Sequence, residues 1–204
     1  MMKNYILVCS LMMLLFSCNE STEKEKRAIL KTTDSSTLVN PEEERTTNPY
    51  QDGESQKALY KALKKKTPLT GIQLVPVLPE QIKSHKKIGE HRFEASNQIA
   101  QGMYGSFESP YNFWIEDGSG SRAIVRNFFD SFKLKNQGPE GTEYVYTEHD
   151  GYKTIAFLQP KIKRNTIKFI YNNRFRISIE GSDTADVLWS YIDFENLKKL
   201  DQYQ

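Results

Sequence analysis

Two dipeptides constrain the fold of this chain more than anything else in it: Asp150-Gly151 and Asn172-Asn173. The first interrupts "TEYVYTEHDGYKTIAFL" and the second "NTIKFIYNNRFRISIEG", so each separates two runs rich in aromatic and β-branched residues. Such runs suit strands. Both dipeptides tolerate the positive φ angles that two-residue hairpin turns demand, so four antiparallel strands in two hairpins are expected. In the last strand Phe175, Ile177 and Ile179 alternate with Arg174, Arg176 and Ser178. That pattern predicts one face in the core and the other in water.

The flanking segments extend this picture. Residues Arg92 to Ala95 and Ile99 to Glu108 read as earlier strands, with Gly102 and Gly105 marking a bulge or a close packing partner in the second. Tyr111 to Glu116, "YNFWIE", reads as another. Pro68, Pro76 and Pro79 predict an extended lead-in over "TPLTGIQLVPVLPEQI", because a residue before proline is biased away from helical angles. In "DGSGSRAIVRNFFDSF", Ser119 or Ser121 is placed to cap a helix. Its Ile124, Val125, Phe128, Phe129 and Phe132 form an apolar face for docking on a sheet. Near the C-terminus Asp183 is placed to cap a helix burying Val187, Leu188, Tyr191 and Ile192. Asp193 is placed to cap another, with Ile192 and Leu197 as a hydrophobic staple. The expected class is α+β: an antiparallel sheet built largely from hairpins and covered by helices on one face, over residues 71–204. That length suffices for one core-forming domain.

What precedes the domain is different in kind. After Lys3, Tyr5 to Phe16 form an apolar stretch of twelve uncharged residues. It is too short to span about 30 Å of hydrocarbon, and it fits the hydrophobic region of a secretory signal peptide. The stretch ends in Leu15-Phe16-Ser17-Cys18, which resembles the lipobox of bacterial lipoproteins. The resemblance implies a signal peptide over 1–17, removed before Cys18, and a Cys18 that carries diacylglycerol on its thiol and an acyl chain such as palmitate on its amino group. Cysteine usage agrees. Cys9 leaves with the signal, Cys18 becomes the odd thiol of an exported chain, and acylation explains it. Two or three acyl chains make such anchorage stable. In that family an aspartate after the cysteine commonly retains the protein at the inner membrane. Asn19 here implies the outer membrane of a Gram-negative bacterium, with the periplasmic or outer side left open.

Residues 18–55 read as a tether. From Asn19 to Ser55, thirty-seven residues hold five Lys or Arg, nine Asp or Glu and one aromatic, Tyr50. Such a composition cannot bury enough apolar surface to offset the entropy of ordering, so disorder is expected. A flexible coil of that length holds the domain on the order of 30 Å from the lipid. Residues 56–70 read as a short basic helix and linker, with Ser55 as cap, Ala58, Leu59, Ala62 and Leu63 as stripe, and Lys57, Lys61, Lys64, Lys65 and Lys66 around it. A solvated face is the expected role of these lysines. Attraction to anionic lipid, worth about 1 kcal/mol each, is the alternative. The chain as a whole carries 28 basic and 26 acidic groups, which gives no large field to steer a polyanion. With export, that argues against nucleic acid as a partner.

One further resemblance covers the final forty or so residues. "NNRFRISIEG" followed by "DVLWSYIDFENLKKL" is similar to the ends of small uncharacterised domains of other bacterial envelope lipoproteins, and implies no activity. The lead-in, sheet and closing helix also resemble PsbP-like folds.

Residues that would carry chemistry are scarce. The three histidines, His85, His91 and His149, show no zinc-site spacing, no cysteine remains after lipidation, and a zinc centre needs three or four convergent ligands. No G-x-S-x-G nucleophile turn occurs. Glu116, Asp117 and Glu143 are carboxylates without a readable pairing. No catalytic residue, metal or cofactor is assigned on these grounds. Two binding sites are candidates. Gly118, Gly120, Ser121 and Arg122, between a strand and a helix, are placed to hold an anion on backbone N–H groups. Tyr104, Phe107, Tyr111, Phe113 and Trp114 are more aromatics than one sheet face needs, and are placed to line a groove for a peptide, glycan or lipid tail. The functional expectation is a lipid-anchored cell-envelope protein whose domain is a non-enzymatic binding or scaffolding module, with another envelope protein as partner. The alternatives are an envelope hydrolase with an unconventional site, and a lipid or lipoprotein carrier with a deep apolar cavity.

Overall fold

A computed structural model describes residues 53–92 and 98–204; the lipobox with Cys18, and the tether up to residue 52, lie outside the described residues. Eight strands form one sheet: β1 (Gln81–Ile82), β2 (His85–Arg92), β3 (Ile99–Tyr104), β4 (Tyr111–Asp117), β5 (Glu143–His149), β6 (Tyr152–Gln159), β7 (Arg164–Tyr171) and β8 (Phe175–Gly181). Their spatial order is β1-β2-β3-β4-β8-β7-β6-β5, and all neighbours are antiparallel. The sheet is thus two meanders side by side, the second running back so that β8 meets β4. The expected turn residues build the second meander. Asp150 and Gly151 have φ of 48° and 80°, and Asn172 and Asn173 have 48° and 58°, the mirror-image turns that match strand twist. Replacing Asn173 by Val, whose branched Cβ suits this region poorly, is expected to cost about 1–2 kcal/mol in urea unfolding. Asn173→Gly should leave stability unchanged or raise it.

Helices lie on both faces of this α+β sheet. The first face buries Phe113, Ile115, Ile167, Phe169, Phe175, Ile177 and Ile179. It is covered by α2 (Gly71–Leu74) with the turn after it, and by α4 (Ala185–Trp189) and α5 (Phe194–Leu197), through Leu74, Val77, Leu188 and Leu197. On the second face lie α1 (Gly53–Lys65) and α3 (Ala123–Leu134), which carries the chain from central β4 to edge β5. Leu63, Val125, Phe128 and Phe129 pack there on Ile155 and Ile170. Among the described residues this cover reaches only part of the face. Among the described residues no helix is long and apolar enough to cross a membrane.

A buried ion pair ties the ends of the domain to the sheet. Asp117 is fully buried and Arg174 is 5% exposed, joined by bonds of 2.8 and 2.7 Å. The carboxylate also accepts from the Leu69 and Ser119 amides. The guanidinium also donates to the carbonyls of Thr67 and Tyr203. Burial alone would push the Asp117 carboxyl up, but the Arg174 bonds and the two amides outweigh it and hold it below the usual carboxylate range. Arg174 is therefore not the water-facing residue that alternation with Phe175 predicts. It stands just before β8, where a buried carboxylate meets it.

Other local expectations are corrected. The lead-in is not extended throughout: Gly71–Leu74 forms a helical turn whose capping box pairs Thr70 with Gln73, and Pro76 opens the 3-10 turn Val75–Val77, a position that needs no N–H. The strand expected at 92–95 is β2, His85–Arg92, with 93–97 outside the described residues. β3 ends at Tyr104 because Gly105, at φ 89°, turns the chain. Gly102 does face a close packing partner: a Cβ there would lie 2.5 Å from the Tyr104 hydroxyl. The β2–β3 ladder shifts register between Lys87 and Gly89 instead. Ser119 does not cap α3, and Ser121 stands one position before the cap: Arg122, at φ 55°, precedes the helix, its amide donates to the Gly118 carbonyl, and the Ser121 hydroxyl accepts from the Ala123 amide at 3.4 Å. Asp183 does not cap α4, since Thr184 stands at that position and Asp183 accepts from the Tyr111 and Tyr191 hydroxyls at 2.7 and 2.6 Å. Asp193 does cap α5, accepting from the Asn196 amide. In α1, Ala58 and Ala62 face solvent while Leu59 and Leu63 face the sheet.

Candidate functional site

The uncovered part of the second face presents side chains in cross-strand rows. In one row Gln101, Trp114, Ser178, Lys168 and Ile155 stand directly opposite one another on successive strands. The row on one side runs Ile99, Glu116, Arg176, Ile170, and that on the other Met103, Asn112, Glu180, Thr166, Phe157. Ser178 is the small residue at the centre. Trp114 and Lys168 flank it two strand spacings apart, about 10 Å, and Ile99, Glu116, Thr166 and Arg176 complete a dent of about 320 Å³.

Charge in this dent is unbalanced. Arg176 grips Glu116 with two bonds, 2.5 Å from Nε to Oε2 and 2.6 Å from Nη2 to Oε1. Arg164 pairs with Glu180, which also accepts from Asn112 at 3.3 Å and Thr166 at 3.5 Å. Both carboxylates beside the dent therefore have partners. Lys168 has none: its ammonium makes no ion pair or hydrogen bond with any described group, and lies 5.9 Å from the centre of the Tyr144 ring. Burial pushes its pKa down, the like charge of Arg176 adds to this, and Glu116 opposes it. A base lowered in the folded state costs stability while it is charged. The cost is present at neutral pH and vanishes as pH rises past the unfolded lysine value of about 10.4. Lys168→Met is accordingly expected to stabilise the domain at pH 7 by up to about 1 kcal/mol in urea unfolding, with the gain fading above that pH.

The sites expected from sequence fall elsewhere. The amides of Gly118, Gly120, Ser121 and Arg122 donate to the carbonyls of Arg174, Leu63, Ser119 and Gly118 respectively. Those donors are engaged inside the fold, so the turn does not offer an anion cradle. The five aromatics do not share a groove. Tyr104, Tyr111 and Phe113 point into the first-face core, Phe107 is 72% exposed in the β3–β4 loop, and Trp114 alone lines the dent. Cys18 lies outside the described residues. His85 stacks on Tyr111 at 4.4 Å and His149 on Trp189 at 5.0 Å, while His91 falls on β2. Among the described residues no group of three or more His, Cys, Asp or Glu could hold a metal ion.

Comparison with protein-family models, with curated proteins and with solved structures finds no match to this chain. Neither the likeness to envelope lipoprotein domains nor that to PsbP-like folds gains support from it. Reading the sequence singled out Trp114 but missed Lys168, Arg176, Ser178 and Thr166 as its neighbours. The signal was partial: the polar alternates of the last strand, Arg176 and Ser178, mark a wet face, but the partner strands that complete it are not readable from spacing.

Proposed function

We propose that this is a lipid-anchored cell-envelope protein, held at the outer membrane through Cys18, whose domain is a non-enzymatic binding module working through its open sheet face. The observation that carries the module reading is the dent around Ser178, with a Lys168 that has no bonded partner among the described residues, on a domain whose other sheet face is packed solid. Glu116, the most buried carboxylate of that dent, has both oxygens held by Arg176. It fixes the guanidinium in place. A carrier of lipid would need a deep apolar cavity, whereas Phe113, Phe169, Phe175, Ile177 and Ile179 fill the space between sheet and helices to 0–1% exposure. The mechanism is localisation plus contact: lipid fixes the chain to a membrane, the tether expected over 18–55, whose last three residues belong to α1, sets its reach, and the face over β4, β8 and β7 meets the partner.

Intact mass of the native membrane-fraction product tests the anchor. The expected result is a chain beginning at Cys18 with diacylglycerol and acyl mass added, and release into the soluble fraction on Cys18→Ala. An unmodified polypeptide soluble without detergent would end the anchoring claim.

A further inference from the structure

The dent carries information about what fills it. Its floor is the Ser178 hydroxyl, which has no hydrogen-bond partner among the described groups. One wall is the Trp114 ring, and the other is the unpaired Lys168 ammonium. At one end Arg176, though bound to Glu116 through Nε and Nη2, keeps Nη1 unbonded among the described groups. At the other end stands the Thr166 hydroxyl, 3.5 Å from Glu180. The charges lining the dent are Lys168, Arg176 and Glu116, and they sum to one surplus positive charge. A partly desolvated cation with no bonded partner among the described residues favours an anion, and the bond it makes is charge-assisted. A neighbouring Trp face favours a flat apolar surface on the same ligand. The volume, about 320 Å³, is at the small end of ligand sites. Hydroxyls at floor and end suit a ligand that itself bears hydroxyls.

We infer that this dent binds a sugar acid: a pyranose ring lying against Trp114, with its carboxylate between Lys168 and Arg176. The inference rests on the binding-module reading and names the ligand class for it. Arg176 contributes a second donor that Glu116 holds in place, so the carboxylate meets a prepared pair of cations. Ser178 contributes room as well as a hydroxyl, and a larger residue there closes the dent without removing charge.

The test uses the full chain in detergent, labelled with ¹⁵N at its two tryptophans, with D-glucuronate as probe. The Trp114 indole signal is expected to move on titration. That of Trp189, whose Nε1 donates to Asp150 at 2.9 Å on the other face, is expected to stay. Neutral D-glucose should bind at least about tenfold more weakly, and Lys168→Met should weaken glucuronate by a similar factor, the worth of one hydrogen bond to a charged group. Ser178→Leu should abolish the shift while both indole signals keep their dispersion, which shows that the domain is still folded. Three outcomes overturn the inference: no Trp114 shift at high millimolar glucuronate, equal binding of glucose and glucuronate, or binding of benzoate alone. If any of these occurs while partners still crosslink from position 101, beside Trp114 on the same face, in native membranes, the sugar acid is wrong and the module survives. If the crosslinks vanish too, both fall.

Discussion

Asp117→Ala is expected to destabilise the domain by about 3–5 kcal/mol, because it strands a buried guanidinium. The substitution removes the acceptor of two Arg174 bonds and of the Leu69 and Ser119 amides at once. The loss should exceed that of Glu116→Ala, whose Arg176 partner is 27% exposed and recovers water. Replacing both partners, Asp117→Leu with Arg174→Met, should cost less than Asp117→Ala alone, since no unpaired charge is left inside. Urea unfolding at pH 7 measures all three. The pH dependence has a fixed sign. A carboxyl held below its unfolded value contributes stability in full above about pH 4, and the contribution is lost as pH falls through the lower folded-state value. The wild-type chain should therefore weaken on acidification in a range where Asp117→Asn, already weak, responds less.

Phe169→Ala is the second large effect, at about 3–5 kcal/mol for a buried aromatic. Phe169 is 0% exposed, and its ring lies 5.2 Å from Tyr152, 5.1 Å from Trp189 and 5.8 Å from Phe194. It is the point where β7 meets α4 and α5, so the cavity would open under both helices. The expected signature is a lowered unfolding midpoint together with red-shifted Trp189 emission, as water reaches an indole now packed among aromatic rings. A midpoint loss without that spectral change would mean that the helices are held from elsewhere, through Leu188, Leu197 and Leu200.

These two sites show what was legible in the sequence and what was not. Local chemistry read well. Asp150-Gly151 and Asn172-Asn173 set two turns, the phenylalanines of "RNFFDSF" gave the buried face of α3, and alternation placed Phe175, Ile177 and Ile179 inside. Pairings between distant segments did not read. Nothing local tells that Asp117 reaches Arg174, so alternation alone predicts a water-facing residue at that position. The prolines around Thr70 predict an extended chain, yet the Thr70–Gln73 capping box holds a helical turn there, because Pro76 falls where no N–H is needed. The dent has the same cause. Trp114 stands opposite Ser178 only because β8 returns to pair with β4, and Lys168 joins them only through the β7–β8 hairpin register. Aromatic crowding from 104 to 114 pointed to a groove, yet strand alternation sends Tyr104 and Phe113 to one face and Trp114 to the other.

A photo-crosslinking residue placed at Gln101, beside Trp114 on the open face but outside the dent, with Lys199 as control on the opposite side of the sheet, tests the central claim most directly. Irradiated in native membranes, the chain carrying it at 101 should yield discrete adducts that the control lacks, and these should diminish with Lys168→Met. Adducts from position 199 alone, or identical adducts from both positions, would contradict the assignment of binding to the open sheet face.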